Sequence, residues 1–151
     1  MPQENIGSRM SIAGHPIHPT LIHFPVAALL GLVATDCAFI FTHDIFWARA
    51  GFWLCTVGTW GGWLAGLVGL IDLVSVRSIR HLMTAWSHAL LAVMMLSLAS
   101  FNWLLRWEDA AQLVQPWGLY MSIITAVFIM LASILGGQLV YEHAVGVDTE
   151  S

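Results

Sequence analysis

Four long apolar runs dominate the chain, and short polar stretches separate them. The runs cover about residues 21–41, 47–70, 84–105 and 117–141. Each run has the length of about 20 residues that an α-helix needs to cross the hydrocarbon core of a bilayer. Backbone groups cannot stay unpaired in lipid, so we expect helices and not strands. The pattern therefore predicts four membrane-spanning helices.

The stretches between the runs set the topology. Polar residues at positions 42–44, 75–81 and 106–116 separate consecutive runs. Because these connections are short, neighbouring helices must be antiparallel. The predicted fold class is an all-α integral membrane protein, a four-transmembrane-helix bundle with up-down-up-down topology. We divide the chain into a polar, Pro- and His-rich N-terminal segment (1–19), the transmembrane domain (20–143) and a short C-terminal tail (144–151).

The composition agrees with a membrane protein and excludes other classes. Of the 151 residues, 58% are apolar and 9% are charged, and the mean hydropathy is +0.79. A soluble domain usually has about a quarter of charged residues. The five basic residues, all Arg, are too few for a nucleic-acid-binding face. We therefore expect a lipid bilayer around the chain and exclude a soluble enzyme and a nucleic-acid binder.

The arginines predict an orientation. An even number of spans places both termini on one side of the membrane. Arg9, Arg77 and Arg80 fall on that side, whereas Arg49 and Arg106 fall on the other. Because positively charged loops stay in the cytoplasm, we expect a multi-pass protein of the inner (cell) membrane with both termini cytoplasmic.

Histidine is the main chemical signal of the sequence, because ionisable groups within the membrane are costly and mark functional sites. Six of the seven histidines map to the side of the termini: His15, His18, His23, His81, His88 and His143. Asp72, at the exit of the second run, maps to the same side. We therefore expect any chemistry to lie close to one membrane face.

His23 and His88 lie at matched depth, each a few residues inside its predicted span. They belong to the first and third spans, which are diagonal partners in a square bundle. Two imidazoles facing each other across the interior are the arrangement that holds a haem by two axial nitrogens. We therefore expect His23 and His88 to be the axial ligands of a haem.

The opening segment contains three prolines close to histidines. Because proline removes a donor and keeps the preceding residue extended, we expect His15 and His18 on a bent segment before the first helix. His18 would then lie near His143, at the end of the adjacent fourth helix. We expect His18 and His143 to be outer-shell residues or alternative ligands.

Other residues on the same side fit a haem site. Arg77 and Arg80 are placed to pair with haem propionates, since Arg binds carboxylates through two hydrogen bonds. Asp72 is placed to hold an Arg or to orient a His ring. Glycines recur every four residues in the second run, and this stripe predicts either close helix packing or a smooth wall against a cofactor. Its members are Gly58, Gly62 and Gly66.

Two motifs near the ends resemble a known family. Residues 14–25, GHPIHPTLIHFP, and residues 137–147, GQLVYEHAVGV, resemble the opening and the ending of the bacterial membrane proteins labelled domain of unknown function 2231. The resemblance implies a four-helix inner-membrane protein. Family members fused to Rieske iron–sulfur or c-type cytochrome modules imply electron transfer and a b-type haem. The matched motifs contain His18, His23 and His143, whereas His88 rests on depth and diagonal placement.

We therefore expect a b-type haem membrane cytochrome, an electron carrier rather than a stand-alone enzyme. It would move electrons between a membrane carrier, with a quinone as candidate, and a separate Rieske or c-type cytochrome protein. One alternative is a non-haem site for Zn, Cu or Fe, or a metal or proton relay, formed by His18, His23, His88, His143 and Asp72. Another is a cofactor-free scaffold subunit. Homo-oligomerisation stays open, and no internal repeat is evident.

Overall fold

The computed structural model describes residues 6–147, so the outermost positions of the predicted terminal segments lie outside the described residues. Four helices are long and apolar enough to cross a membrane: α1 (Ile17–Thr42), α2 (Ile45–Ser75), α4 (Met83–Leu105) and α5 (Leu119–Tyr141). The short helix α3 (Arg77–Arg80) connects α2 to α4, and the segment Val114–Gly118, which is kinked by extended backbone at Gln115, leads into α5. The prediction of an all-α bundle with four spans is confirmed.

The two ends of the bundle differ in structure. At the proximal end, a small antiparallel hairpin of β1 (Ser11–Ile12) and β2 (His15–Pro16) precedes α1. The same end carries α3 and the segment after α5. The distal end carries the connections 43–44 and 106–118. Helix α1 packs against α2 and α5, and so does α4, which makes α1 and α4 diagonal partners.

The core forms where inward positions of all four helices meet. Its central cluster consists of Leu29, Leu32, Cys55, Ala99 and Ile129. Glycines of α2 allow close approach here, because a Cβ at Gly58 would collide with Leu29 and one at Gly62 with Leu96. The close-packing interpretation of the glycine stripe therefore holds for these two positions.

A buried ion pair joins α1 to the end of α4 in the distal half. The Arg106 guanidinium donates from Nη1 to Oδ1 of Asp36 and from Nη2 to Oδ2, each at 2.8 Å. Both side chains are fully buried. Ser122 of α5 donates to Asp36 Oδ2 at 2.6 Å, and Asn102 Oδ1 accepts from Arg106 Nε at 2.9 Å. The network therefore ties three helices together with charge-assisted hydrogen bonds.

This network corrects the placement of Arg106, which we expected as a loop charge outside the membrane. Its side chain turns back into the bundle because Asp36 offers a carboxylate there. Room for the guanidinium comes from two glycines. A Cβ at Gly51 would lie 3.3 Å from Arg106 Nη1, and one at Gly118 only 2.6 Å from Nη2.

Tryptophan side chains make contacts between α2 and α4. The indole of Trp63 donates to Ser100 Oγ, and that of Trp103 donates to Thr56 Oγ1, both at 3.0 Å. The rings of Trp60 and Trp103 also meet edge to face, with centroids 5.7 Å apart. Buried indole N–H groups need such partners, so these residues join α2 to α4.

We predict that Asp36→Leu and Arg106→Leu each lower the free energy of unfolding by about 3–5 kcal/mol, because each leaves an unpaired buried charge. The double variant Asp36→Leu/Arg106→Leu should lose much less than the sum of the two. Reversible unfolding in detergent micelles measures these differences.

Arg49→Leu is the matched control, since Arg49 is an exposed arginine at the same end of the bundle. It should change the free energy of unfolding by less than about 0.5 kcal/mol. Additive losses in the double variant would show that the two charges do not stabilise the bundle as a pair.

Candidate functional site

A cavity of about 530 Å³ lies between the four helices in the proximal half of the bundle. It reaches as far as Leu96 and Ile129 on the distal side, next to the central cluster. Its walls are mostly apolar and include Gly66, which leaves the wall smooth at that position. Gly62 lines the cavity as well, and the interpretation of the stripe as a wall against a cofactor stays a prediction.

His18 reaches this cavity from the first turn of α1. Its Nδ1 donates to the backbone carbonyl of Ala65 in α2 at 2.8 Å. The ring lies against Gly69, where a Cβ would stand 2.9 Å from Nδ1. The ring is therefore held against the backbone of α2.

His88 reaches the cavity from α4 in the same manner. Its Nδ1 donates to the backbone carbonyl of Ala132 in α5 at 2.9 Å. The ring lies against Gly136, where a Cβ would stand 3.3 Å from Cε1. Each imidazole is thus fixed by the helix that follows its own along the chain.

These hydrogen bonds determine the protonation pattern of both rings. A carbonyl oxygen only accepts, so Nδ1 must carry the proton in His18 and in His88. In the neutral ring Nε2 then keeps a free lone pair. Within residues 6–147, Nε2 of neither ring has a hydrogen-bond partner. The ring centroids are 6.3 Å apart and the ring planes are perpendicular.

The structure pairs His88 with His18, so the expectation that His23 faces His88 is wrong. The His23 side chain is exposed and only borders the cavity. Helix α1 begins at Ile17, earlier than predicted, because Pro19 is tolerated in a first turn. Five residues separate positions 18 and 23, a rotation of about 140° around the helix. Because the side chain at position 18 faces the interior of the bundle, the side chain at position 23 faces outward.

A signal for His18 was present in the sequence. His18 belongs to a series of inward positions in α1 spaced by three or four residues: His18, Ile22, Pro25, Leu29, Leu32 and Asp36. Such spacing marks one face of a helix. Following this face from the apolar leucines in both directions would have found His18 at one end and Asp36 at the other.

Asp72 anchors the N-terminal segment, and within the described range 6–147 it neither holds an Arg side chain nor orients a His ring. Its carboxylate accepts from Ser8 Oγ at 2.6 Å and from the backbone N–H groups of Arg9 and Met10 at 2.9 Å. The two terminal segments also meet, because Gly146 N–H donates to the carbonyl of Ile6 at 2.8 Å.

These terminal segments contribute to the proximal wall of the cavity. The residues that line it from them are Ser8, Pro16, Val145 and Gly146. Pro16 packs against Gly146, where a Cβ would lie 2.8 Å from Pro16 Cγ. The hydrogen bonds of Asp72 therefore hold part of the cavity wall in place.

The remaining candidates stand apart from the imidazole pair. His143 is half-buried just after α5, and within residues 6–147 no hydrogen bond or ring contact joins it to His18. Arg77 and Arg80 are exposed, and neither borders the cavity, whereas Ile79 between them does. Their roles toward a cofactor stay predictions.

The chain belongs to the family described as predicted membrane protein (DUF2231), whose family model matches residues 14–149. The resemblance carried by the two end motifs is therefore confirmed. Comparisons with curated proteins and with solved structures give no match. Family membership agrees with the four apolar helices and assigns no activity.

We predict that Asp72→Asn loosens the N-terminal segment, because a neutral amide oxygen accepts more weakly than the carboxylate oxygen that binds the N–H groups of Arg9 and Met10, and the amide NH₂ cannot accept from Ser8 Oγ. Hydrogen bonds to a charged group contribute about 1.5–3 kcal/mol each, so amide exchange at Arg9 and Met10 should accelerate about tenfold or more. Hydrogen–deuterium exchange measures this change.

Asp44→Asn is the control, since Asp44 accepts from the backbone N–H of Phe46 at the distal end. It should leave exchange at Arg9 and Met10 unchanged. Unchanged exchange at these amides in Asp72→Asn would contradict the anchoring role.

Proposed function

We propose that this member of the DUF2231 family is a b-type haem membrane cytochrome in which His18 and His88 are the axial ligands. It would carry electrons between a membrane carrier of the quinone class and a separate one-electron redox protein such as a Rieske or c-type cytochrome. One observation carries the proposal. Two imidazoles on diagonal helices border one apolar cavity with Nδ1 protonated and Nε2 free.

The spacing of the rings supports a single metal ion between them. A His nitrogen binds a metal at about 2.0 Å, so the centres of two imidazoles on opposite sides of one ion lie about 6 Å apart. The observed separation is 6.3 Å. The cavity volume of about 530 Å³ lies within the range of about 300–1,000 Å³ typical of cofactor sites, and its apolar wall suits a macrocycle.

The number of ligands favours haem over a non-haem ion. Among residues 6–147, no group of three or more His, Cys, Asp or Glu side chains converges to hold a metal ion. Zinc sites usually take three or four protein ligands, whereas a porphyrin supplies four nitrogens itself. Asp72 and His23, which the alternative needs, are engaged with Ser8 and exposed, respectively.

Haem bound in this cavity would supply a one-electron iron couple. His18 and His88 together would occupy both axial positions, which favours electron transfer over oxygen binding. The backbone carbonyls of Ala65 and Ala132 fix the ring tautomers, and the apolar wall would keep water away from a bound cofactor. Propionate pairing by Arg77 and Arg80 stays a prediction.

We predict that His18→Gly and His88→Gly each abolish the low-spin spectrum of the haem-loaded protein. Added imidazole should restore it in both variants, because the free ligand fills the space of the missing ring. His23→Gly is the control and should keep the low-spin bands. Visible absorption of the detergent-purified protein before and after reduction measures the outcome.

The alternatives give different results in the same preparation. A wild-type protein without a Soret band, but with one Zn, Cu or Fe per chain by elemental analysis, would support the non-haem site. A protein with neither would support a cofactor-free scaffold. Low-spin haem that survives in His18→Gly without imidazole would overturn the assignment of His18.

The buried ion pair supports the proposed orientation. Arg106 is neutralised by Asp36, so three exposed arginines at the proximal end, Arg9, Arg77 and Arg80, stand against Arg49 at the distal end. We infer that the proximal end faces the cytoplasm of an inner membrane.

We predict that a phosphatase reporter, which is active only in the periplasm, is inactive when fused to the C-terminus. A fusion inserted after His43, at the distal end, should be active and is the control. The reverse pattern would place the histidine pair on the periplasmic side.

A further inference from the structure

The two halves of the chain repeat the same contacts at constant offsets. His18 and His88 are 70 positions apart, and so are Asp36 and Arg106. In the partner helices the offset is 67, and it relates Ala65 to Ala132, Gly69 to Gly136 and Gly51 to Gly118. Equivalent residues therefore meet each other, His with His and Asp with Arg.

Each half also holds its histidine by the same two contacts, a hydrogen bond to a backbone carbonyl and packing against a glycine. In the first half His18 donates to Ala65 and lies against Gly69, four residues further along α2. In the second half His88 donates to Ala132 and lies against Gly136, four residues further along α5. The imidazole takes the space that a side chain at the glycine position would fill.

We infer that Gly69 and Gly136 are positioning residues, which hold the two imidazoles so that a two-fold site receives one equivalent ligand from each half of the chain. This inference rests on the proposed function for the identity of the ligand, a flat complex with two equivalent faces. The glycines act through the histidines and do not touch the metal themselves.

Gly69 and Gly136 differ from Gly61 in the space that their side-chain positions leave free. A Cβ at position 69 would lie 2.9 Å from Nδ1 and 3.0 Å from Cε1 of His18, which forces the ring away. A Cβ at position 136 would approach His88 to 3.3 Å, a tighter contact than usual. At Gly61 the nearest atom, of Pro25, would be 3.6 Å away, an ordinary contact.

The intrinsic preferences of the backbone make the test selective. Alanine favours a helix more than glycine does, so Gly→Ala by itself should not weaken α2 or α5. A change in the ring-nitrogen signals or in haem retention that appears in Gly69→Ala or Gly136→Ala, but not in Gly61→Ala, therefore reports on the histidine ring.

The first experiment reads the histidine tautomers without any cofactor. Nitrogen-15 NMR of His-labelled protein in micelles should show Nδ1–H rings for His18 and His88 in the wild type. Gly69→Ala should alter the ring nitrogens of His18 and Gly136→Ala those of His88, while Gly61→Ala changes neither. A folded Gly69→Ala protein with unchanged His18 nitrogens would overturn the inference.

The second experiment reads haem retention and spin state in the same variants. Displacing a group that orients a metal ligand weakens metal binding by about 10- to 100-fold, so we expect at least a tenfold loss in Gly69→Ala. Gly136→Ala should show a smaller loss of low-spin haem, and Gly61→Ala should show none. Equal retention in all three folded variants would contradict the positioning role.

The two experiments separate the inference from the proposed function. If the wild type binds no haem but the ring nitrogens still change selectively in Gly69→Ala and Gly136→Ala, the positioning role of the glycines stands and the haem assignment fails. Wild-type rings protonated at Nε2 would overturn the inference even in a haem protein. If Gly69→Ala fails to fold, Gly136→Ala, with its longer contact, decides the outcome.

Discussion

The ion pair between Asp36 and Arg106 fixes how α1 and α4 lie relative to each other along the bundle. Two nearly parallel hydrogen bonds, both at 2.8 Å, allow one axial register between the helices. Each partner lies 18 residues from the histidine of its own helix, which is five turns, or about 27 Å. Whole turns keep both residues on the same face, so the register of the ion pair also sets His18 and His88 at one height.

The two halves of the bundle place their polar side chains differently. In the distal half, buried charges are paired with each other and surrounded by the Asn102 and Ser122 side chains, which removes most of the cost of burying them. In the proximal half, His18 and His88 each bond one ring nitrogen to a backbone carbonyl, and the other nitrogen has no hydrogen-bond partner within residues 6–147. The distal half thus holds a paired set of buried charges, and the proximal half holds two imidazoles beside a cavity.

Small residues make both arrangements possible. Gly51 and Gly118 leave room for the Arg106 guanidinium, while Gly69 and Gly136 leave room for the imidazoles. Within one helix, α2, glycines therefore make room at successive heights for the Arg106 guanidinium, for close helix packing and for the His18 ring. The sequence alone shows such a stripe but cannot distinguish these structural roles, because each depends on which side chain of a neighbouring helix packs against the glycine.

The sequence by itself determined the four spans, their antiparallel order and the concentration of histidines at one membrane face, because length and hydropathy are local properties of the chain. Helical spacing along α1 already marks position 18 as inward, but only the tertiary structure showed that the helix begins early enough to include it and that its ring meets His88. About 100° of rotation per residue then turns His23 outward. The tertiary structure also decided that Arg106 is buried against Asp36. These two residues lie 70 positions apart, and no local pattern states that two such distant side chains meet.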